Sequence, residues 1–192
     1  MYKAVVIGTS HGGLEALKLI LPQLEKGFPL AVIVVLHIGD HNNDVFIRIL
    51  NGLCSLPVKE AESNEAILPG HIYFAPPNYH LLVEDDLTFS LSTDEKLNYS
   101  RPSIDILFES AAWAYKRKLI AVILSGANSD GAHGMKTVKS FGGKTVIQNP
   151  CHAISPTMPR FALKIARPEI RLDLENIAGK LIELAYSKGA GH

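Results

Sequence analysis

A serine, a histidine and an aspartate, the side chains of acyl transfer, each follow an apolar run that reads as a buried strand. Ser10 lies in Gly8-Thr9-Ser10-His11-Gly12-Gly13 after Ala4-Val5-Val6-Ile7. His37 closes residues 30–36 (LAVIVVL), and Asp130 lies in Ser125-Gly126-Ala127-Asn128-Ser129-Asp130-Gly131 after residues 119–124 (LIAVIL). A serine hydroxyl is a weak nucleophile until a base removes its proton during attack. Imidazole, with an ordinary pKa near ~6.5, can take that proton and return it to a leaving group. A carboxylate behind the ring fixes its tautomer and stabilises the imidazolium. Gly8, Ser10 and Gly12 also fit G-x-S-x-G, in which small residues let the chain turn sharply and present the serine at a helix N-terminus. Free N–H groups there can stabilise an oxyanion.

Each residue has a competing role. Ser10 could cap the following helix or sit in a phosphate loop, since Gly8, Ser10 and Gly13 almost form G-x-G-x-x-G. Serine replaces the glycine that lets a pyrophosphate approach, and the second strand ends in His37 rather than in an acid for a ribose. His37 could cap its strand or bind metal with His41, near Asp40 and Asp44. The polar turn spoils that register, however, and no Cys/His cluster completes a site. Asp130 could be the N-cap of the next helix. Of the remaining histidines (His11, His71, His80, His133, His152 and His192), only His11 has a suggestive context, beside the serine. The order Ser10, His37, Asp130 differs from the hydrolase order Ser, Asp, His; triads are recognised by geometry, so the order excludes only the usual α/β-hydrolase fold.

The elements that must carry these residues alternate between strand and helix. Continuous apolar runs at 4–7, 30–36 and 119–124 indicate strands buried on both faces. Leu14, Leu17, Ile20, Leu21 and Leu24 recur at helical spacing, as do Ile104, Leu107, Phe108, Ala111, Ala112 and Tyr115 in a helix over about 102–116. Lys116, Arg117 and Lys118 suit the C-terminal dipole of that helix. A short helix carries Val45, Phe46, Ile49 and Leu50 and stops near Gly52. A helix with Met135 and Val138, a strand over 144–148, and helices over 158–166 and 174–186 follow. Residues 71–92 instead read as an antiparallel meander of short strands. The pattern predicts an α/β fold: a doubly wound three-layer sandwich on a mostly parallel sheet, with an antiparallel hairpin or meander at about 71–92. In such sheets ligands bind beyond the carboxyl ends of the strands, where Ser10, His37 and Asp130 fall.

Length and composition limit the rest. The 192 residues fit one domain, 1–192, and 19 basic residues balance 19 acidic ones, so no nucleic-acid footprint is expected. No apolar run approaches the roughly 20 residues of a membrane span, and the N-terminus reads as a strand rather than a signal peptide. Cys54 and Cys151 are the only cysteines and lie outside any C-x-x-C motif, which predicts reduced thiols in a cytoplasmic protein. No metal and no cofactor is called for.

Together, Val6-Ile7-Gly8-Thr9-Ser10-His11-Gly12-Gly13, Val35-Leu36-His37, residues 100–112 (SRPSIDILFESAA) and residues 125–135 (SGANSDGAHGM) resemble the catalytic domain of CheB-type chemotaxis receptor methylesterases. Pro69-Gly70-His71-Ile72-Tyr73, Ala75-Pro76-Pro77 and Met158-Pro159 match in order, and the likeness runs from about Val5 to Ala166. The resemblance implies hydrolysis of γ-glutamyl methyl esters on the cytoplasmic helices of chemoreceptor-like proteins, releasing methanol, with glutamine deamidation in some members. It assigns Ser10 as nucleophile, His37 as base, Asp130 as orienting acid, and the backbone N–H groups of His11 and Ala127 as oxyanion hole. Arg101 and Gly12 are candidate substrate contacts. The expected partners are a methylated receptor and separate response-regulator or sensor-kinase proteins.

The chain departs from the family in two ways. His11 stands where threonine or alanine usually follows the nucleophile. The best-known members also carry an N-terminal receiver domain, whereas this chain starts at the first catalytic strand, as a stand-alone esterase or an excised piece would. Two other classes remain open: a nucleotide- or phosphate-binding module using the glycine-rich turn, which nucleotide affinity would reveal, and a catalytically silent interaction domain of a signalling array, against which the intact Ser10, His37 and Asp130 weigh.

Overall fold

The computed structural model describes residues 1–37, 43–97 and 99–187. The chain runs through β1 (Ala4–Thr9), α1 (Gly13–Ile20), β2 (Ala31–Leu36), α2 (Asn43–Leu53), β3 (Val58–Glu60), β4 (Ile72–Phe74), β5 (His80–Val83) and β6 (Phe89–Ser92). It continues through α3 (Ile104–Tyr115), β7 (Leu119–Ile123), α4 (Ala132–Ser140), β8 (Lys144–Gln148), α5 (Thr157–Ile165), β9 (Ile170–Leu172) and α6 (Leu174–Tyr186). Seven strands form one sheet in the order β3-β4-β2-β1-β7-β8-β9, with every pair parallel.

Each residue of β1 and β2 is buried, and alternate residues serve opposite faces. Val5, Ile7, Val32 and Val34 join one core with Leu17 of α1, Phe46 of α2 and Ile177 of α6. Val6, Ile33 and Val35 join the other with Phe108 of α3, Met135 of α4 and Met158 of α5. This period-two division across a covered sheet is why these strands read as unbroken apolar runs. Burying one such leucine or isoleucine contributes about 1.5–3 kcal/mol.

The predicted doubly wound α/β architecture is therefore observed, with one correction. Among the described strands, antiparallel pairing joins only β5 with β6, a separate two-stranded sheet whose Leu81, Val83 and Phe89 pack into the α3 core; isolated antiparallel bridges link Ala66 with Thr88 and Leu97 with Ser100. Ile72–Phe74, which the expected meander included, is instead a parallel strand between β2 and β3. Two three-residue edge strands, β3 and β9, are additional to those expected.

The winding creates a crevice. From β1 the chain crosses to β2 over the α1 face, and from β7 it crosses to β8 over the α4 face. Because β1 and β7 are neighbours, their carboxyl ends form the topological switch point where such sheets bind ligands.

Candidate active site

Ser10 leaves the end of β1 between two neighbours. Its N–H donates to the Ser125 carbonyl beyond β7 at 3.0 Å, while the His37 N–H donates to the Thr9 carbonyl at 3.0 Å. Ser10 and His37 thus depart side by side from hydrogen-bonded parallel strands. The turn is compact for local reasons. A Cβ on Gly8 would lie 2.3 Å from Cγ2 of Ile104, so only glycine lets the start of α3 sit over the end of β1. Gly12, at φ +80°, is the N-cap of α1 in the left-handed region, and a Cβ there would lie 2.8 Å from Cβ of Ile154 and 2.9 Å from Oγ of Ser125. As a candidate substrate contact, Gly12 is placed at the turn; the structure accounts for it by backbone conformation and packing.

Asp130 is fully buried and holds four groups. Its Oδ1 accepts from Ser103 Oγ at 2.9 Å and from the Asp105 N–H at 3.0 Å; its Oδ2 accepts from the Ile104 N–H at 2.7 Å. His37 Nε2 lies 3.1 Å from Oδ2. That approach is in ion-pair range but off the ring N–H direction, so no aligned hydrogen bond forms there. Asp130 therefore does cap a helix, but the helix is α3 rather than the adjoining α4, whose N-cap is Gly131. Burial pushes the Asp130 carboxyl upward; the His37 ring and the Ile104 and Asp105 N–H groups outweigh it and hold the group below its ordinary range. The result is an ionised carboxylate at the positive end of α3, facing the imidazole.

That charge sets the histidine tautomer. With Nε2 beside a carboxylate the ring proton belongs on Nε2, leaving a lone pair on Nδ1, which Asn128 Nδ2 approaches at 3.4 Å. The His37 side chain is 12% exposed, shielded but open to the crevice. Ser10 Oγ makes no hydrogen bond to any described residue. The structure thus joins His37 to Asp130 and puts Ser10 beside them without closing the serine–histidine bond, a looseness common before substrate arrives. The N–H groups of His11 and Ala127 likewise have no acceptor among the described residues, leaving both free for an incoming oxyanion. The His11 ring is exposed. Arg101 is engaged elsewhere: its Nη1 donates to the carbonyls of Thr93 at 2.6 Å and Asp94 at 2.9 Å, pinning the segment after β6.

Several supporting residues were not singled out from sequence. Ser125, almost fully buried, donates from Oγ to the His11 carbonyl at 2.7 Å and accepts from the Ser155 N–H at 2.8 Å. Gln148 Oε1 accepts from the Ser125 N–H at 2.8 Å. His80, fully buried, accepts from the Ser103 N–H at Nδ1, which puts its ring proton on Nε2 toward the Glu95 carbonyl. A chain of contacts thus runs from β5 through Ser103 and Asp130 to His37. Asp105 accepts from the Gly134 N–H at 2.7 Å, and burial pushes its carboxyl up to about 6. Ser125 had a signal, lying in the recognised 125–135 segment; His80 had none, because its partners are set by tertiary packing.

Among the described residues no group of three or more His, Cys, Asp or Glu is placed to hold a metal ion. Asp40 and His41, which the metal alternative for His37 requires, lie outside the described residues, as does His192. Cys54 and Cys151 are free thiols, and burial raises Cys54 to about 11. No described helix is long and apolar enough to cross a membrane.

The family model described as CheB methylesterase matches residues 5–181. A Leptospira interrogans protein, provisionally named protein-glutamate methylesterase/protein-glutamine glutaminase, is 50% identical over 183 residues, 95% of each chain. A Thermotoga maritima protein-glutamate methylesterase/protein-glutamine glutaminase is 36% identical over 185 residues, 95% of this chain but 54% of that protein. The crystal structure of the Thermotoga maritima CheB methylesterase catalytic domain superposes with a TM-score of 0.91 at 36% identity, covering 96% of this chain and 99% of that one.

Proposed function

The chain belongs to the CheB methylesterase family, and from that premise we propose that it hydrolyses glutamate γ-methyl esters on a methylated chemoreceptor-like protein through Ser10, His37 and Asp130. The observation that carries this reading is the His37–Asp130 pair beside Ser10 at the switch point of the sheet. Ser10 Oγ attacks the ester carbonyl while His37 takes its proton through the ring nitrogen turned away from Asp130. Charge moves onto the carbonyl oxygen, which accepts from the His11 and Ala127 N–H groups; one such donor is worth roughly 10²–10³ in rate. The tetrahedral intermediate collapses, the C–O bond to methoxide breaks, and His37 returns the proton so that methanol leaves. Water then attacks the glutamyl-serine ester with His37 again as base, restoring Ser10 and releasing a glutamate carboxyl. With a glutamine side chain the same steps release ammonia, which is deamidation. Asp130 stays ionised throughout and stabilises the imidazolium.

A receptor glutamate lies on a helix surface, which suits an open crevice between strand ends. The reading places the enzyme in the cytoplasm with the signalling helices of its receptor and with response-regulator or sensor-kinase proteins of the same pathway. Incubation with a methylated receptor fragment, followed by mass spectrometry of its peptides, tests the reaction. The expected result is loss of one methylene mass per esterified glutamate, with methanol in equal amount. Unchanged peptides after prolonged incubation would reject it.

A further inference from the structure

At the opposite end of the sheet, where β1, β2 and β7 begin, lies a cavity of about 800 Å³, within the range of small-molecule sites. Its walls are apolar and aromatic, including Ile67, Tyr115 and Phe141, and its rim carries Lys3, Lys116, Arg117 and Lys118. No aspartate or glutamate lines it. None of the four cations forms an ion pair or side-chain hydrogen bond with a described residue. In a chain of zero formal net charge, that is a local excess of four positive charges around one hollow.

Complementing a helix end explains only part of this excess. The C-terminus of α3 carries roughly half a negative charge, and one nearby cation would satisfy it. The backbone adds a second sign. Lys116 sits at φ 51°, ψ −130°, a conformation L side chains avoid, and so turns the Lys116–Lys118 segment over the cavity. Strain of this kind persists where the surroundings fix it and concentrates at binding sites. The Tyr115 hydroxyl, raised to about 12 by burial, stays a neutral donor beside the hollow.

We infer that this cavity binds a small aromatic anion: a ring system seated between Tyr115 and Phe141, with a phosphate, sulfonate or carboxylate against the Lys3 and Lys116–Lys118 cations. The site is independent of the esterase chemistry. It lies about 18 Å from Asp130, the length of the 12-residue α3 at 1.5 Å per residue.

The protein carries its own reporter. Trp113 is the only tryptophan, and its ring meets Phe141 edge to face at 4.7 Å. Excitation of Trp113 in the full chain, titrated with 1-anilinonaphthalene-8-sulfonate and then competed with AMP, reads occupancy by energy transfer to the first probe. The expected result is one saturable site, with affinity weakened at least tenfold in the double variant Arg117→Glu/Lys118→Glu. Ala114→Phe, which puts bulk into the cavity without changing charge, should weaken it by a similar factor. Thermal melting establishes that each variant is folded. Displacement by AMP identifies a nucleoside phosphate as a fitting ligand, and probe binding without displacement identifies a non-nucleotide aromatic anion; both support the site. Absence of saturable transfer, or equal affinity in wild type and both folded variants, would overturn it.

Discussion

Replacing Asp130 by asparagine should damage this protein in two measurable ways, because the carboxylate serves both a helix and a histidine. Its two oxygens accept from the Ile104 and Asp105 N–H groups and from Ser103 Oγ, with His37 Nε2 3.1 Å from Oδ2. Asparagine offers one oxygen and one NH₂. If the oxygen replaces Oδ1, the NH₂ faces the Ile104 N–H; if it replaces Oδ2, the NH₂ faces the Asp105 N–H. Either way a buried backbone donor meets another donor, at a cost of about 1–3 kcal/mol. Loss of charge at the α3 N-terminus adds about 0.3–1 kcal/mol. For a chain of this size the sum lowers Tm by roughly 3–16 °C. The esterase rate should fall by about 10⁴, since the neutral amide no longer fixes the imidazole proton. Thermal melting and methanol release on the same preparations read both quantities. A Tm within about 1 °C of wild type would refute the helix-anchoring role, and activity above roughly a tenth of wild type would refute the role behind His37.

Three further outcomes follow from neighbouring contacts. Gly12→Ala, strained at φ +80° and crowded by Ile154 and Ser125, should cost about 1–3 kcal/mol and more than tenfold in kcat, read by melting and steady-state kinetics. Ser125→Ala leaves the Ser155 N–H without its acceptor and frees the His11 peptide; a loss of about 1–3 kcal/mol and roughly tenfold in kcat, with KM little changed, is expected. Asp105→Asn reports on pH. A carboxyl raised to about 6 stabilises the fold fully below its unfolded value near 3.8, and that stability is lost as pH rises toward and through 6. Denaturant melts of the two proteins should therefore shift in favour of the variant by up to about 3 kcal/mol between pH 4 and pH 7; a constant difference would contradict the assignment.

What was legible in the chain divides along physical lines. The central strands announced themselves because both faces are buried, and Ser10, His37 and Asp130 stood out as candidates because each lies beyond such a strand. β3 and β9 left no signal: three residues at a sheet edge, mostly half-exposed, have neither an apolar run nor a usable period. Ile72–Phe74 was grouped with the meander since parallel partners lie far away in sequence; Val32 pairs with Ile72 across 40 positions. The same non-locality hid Asp130 as the cap of α3, for its N–H partners lie 25 and 26 residues upstream. Arg101 was a candidate substrate contact, and only the packed structure reveals the carbonyls of Thr93 and Asp94 that hold it.

The claim that Ser10 is the nucleophile is tested most directly by Ser10→Ala. Its hydroxyl bonds to no described residue, so the variant should melt within about 0.5 kcal/mol of wild type. Methanol release from a methylated receptor fragment should fall by at least about 10³. Turnover within tenfold of wild type, from a variant that melts normally, would contradict the account.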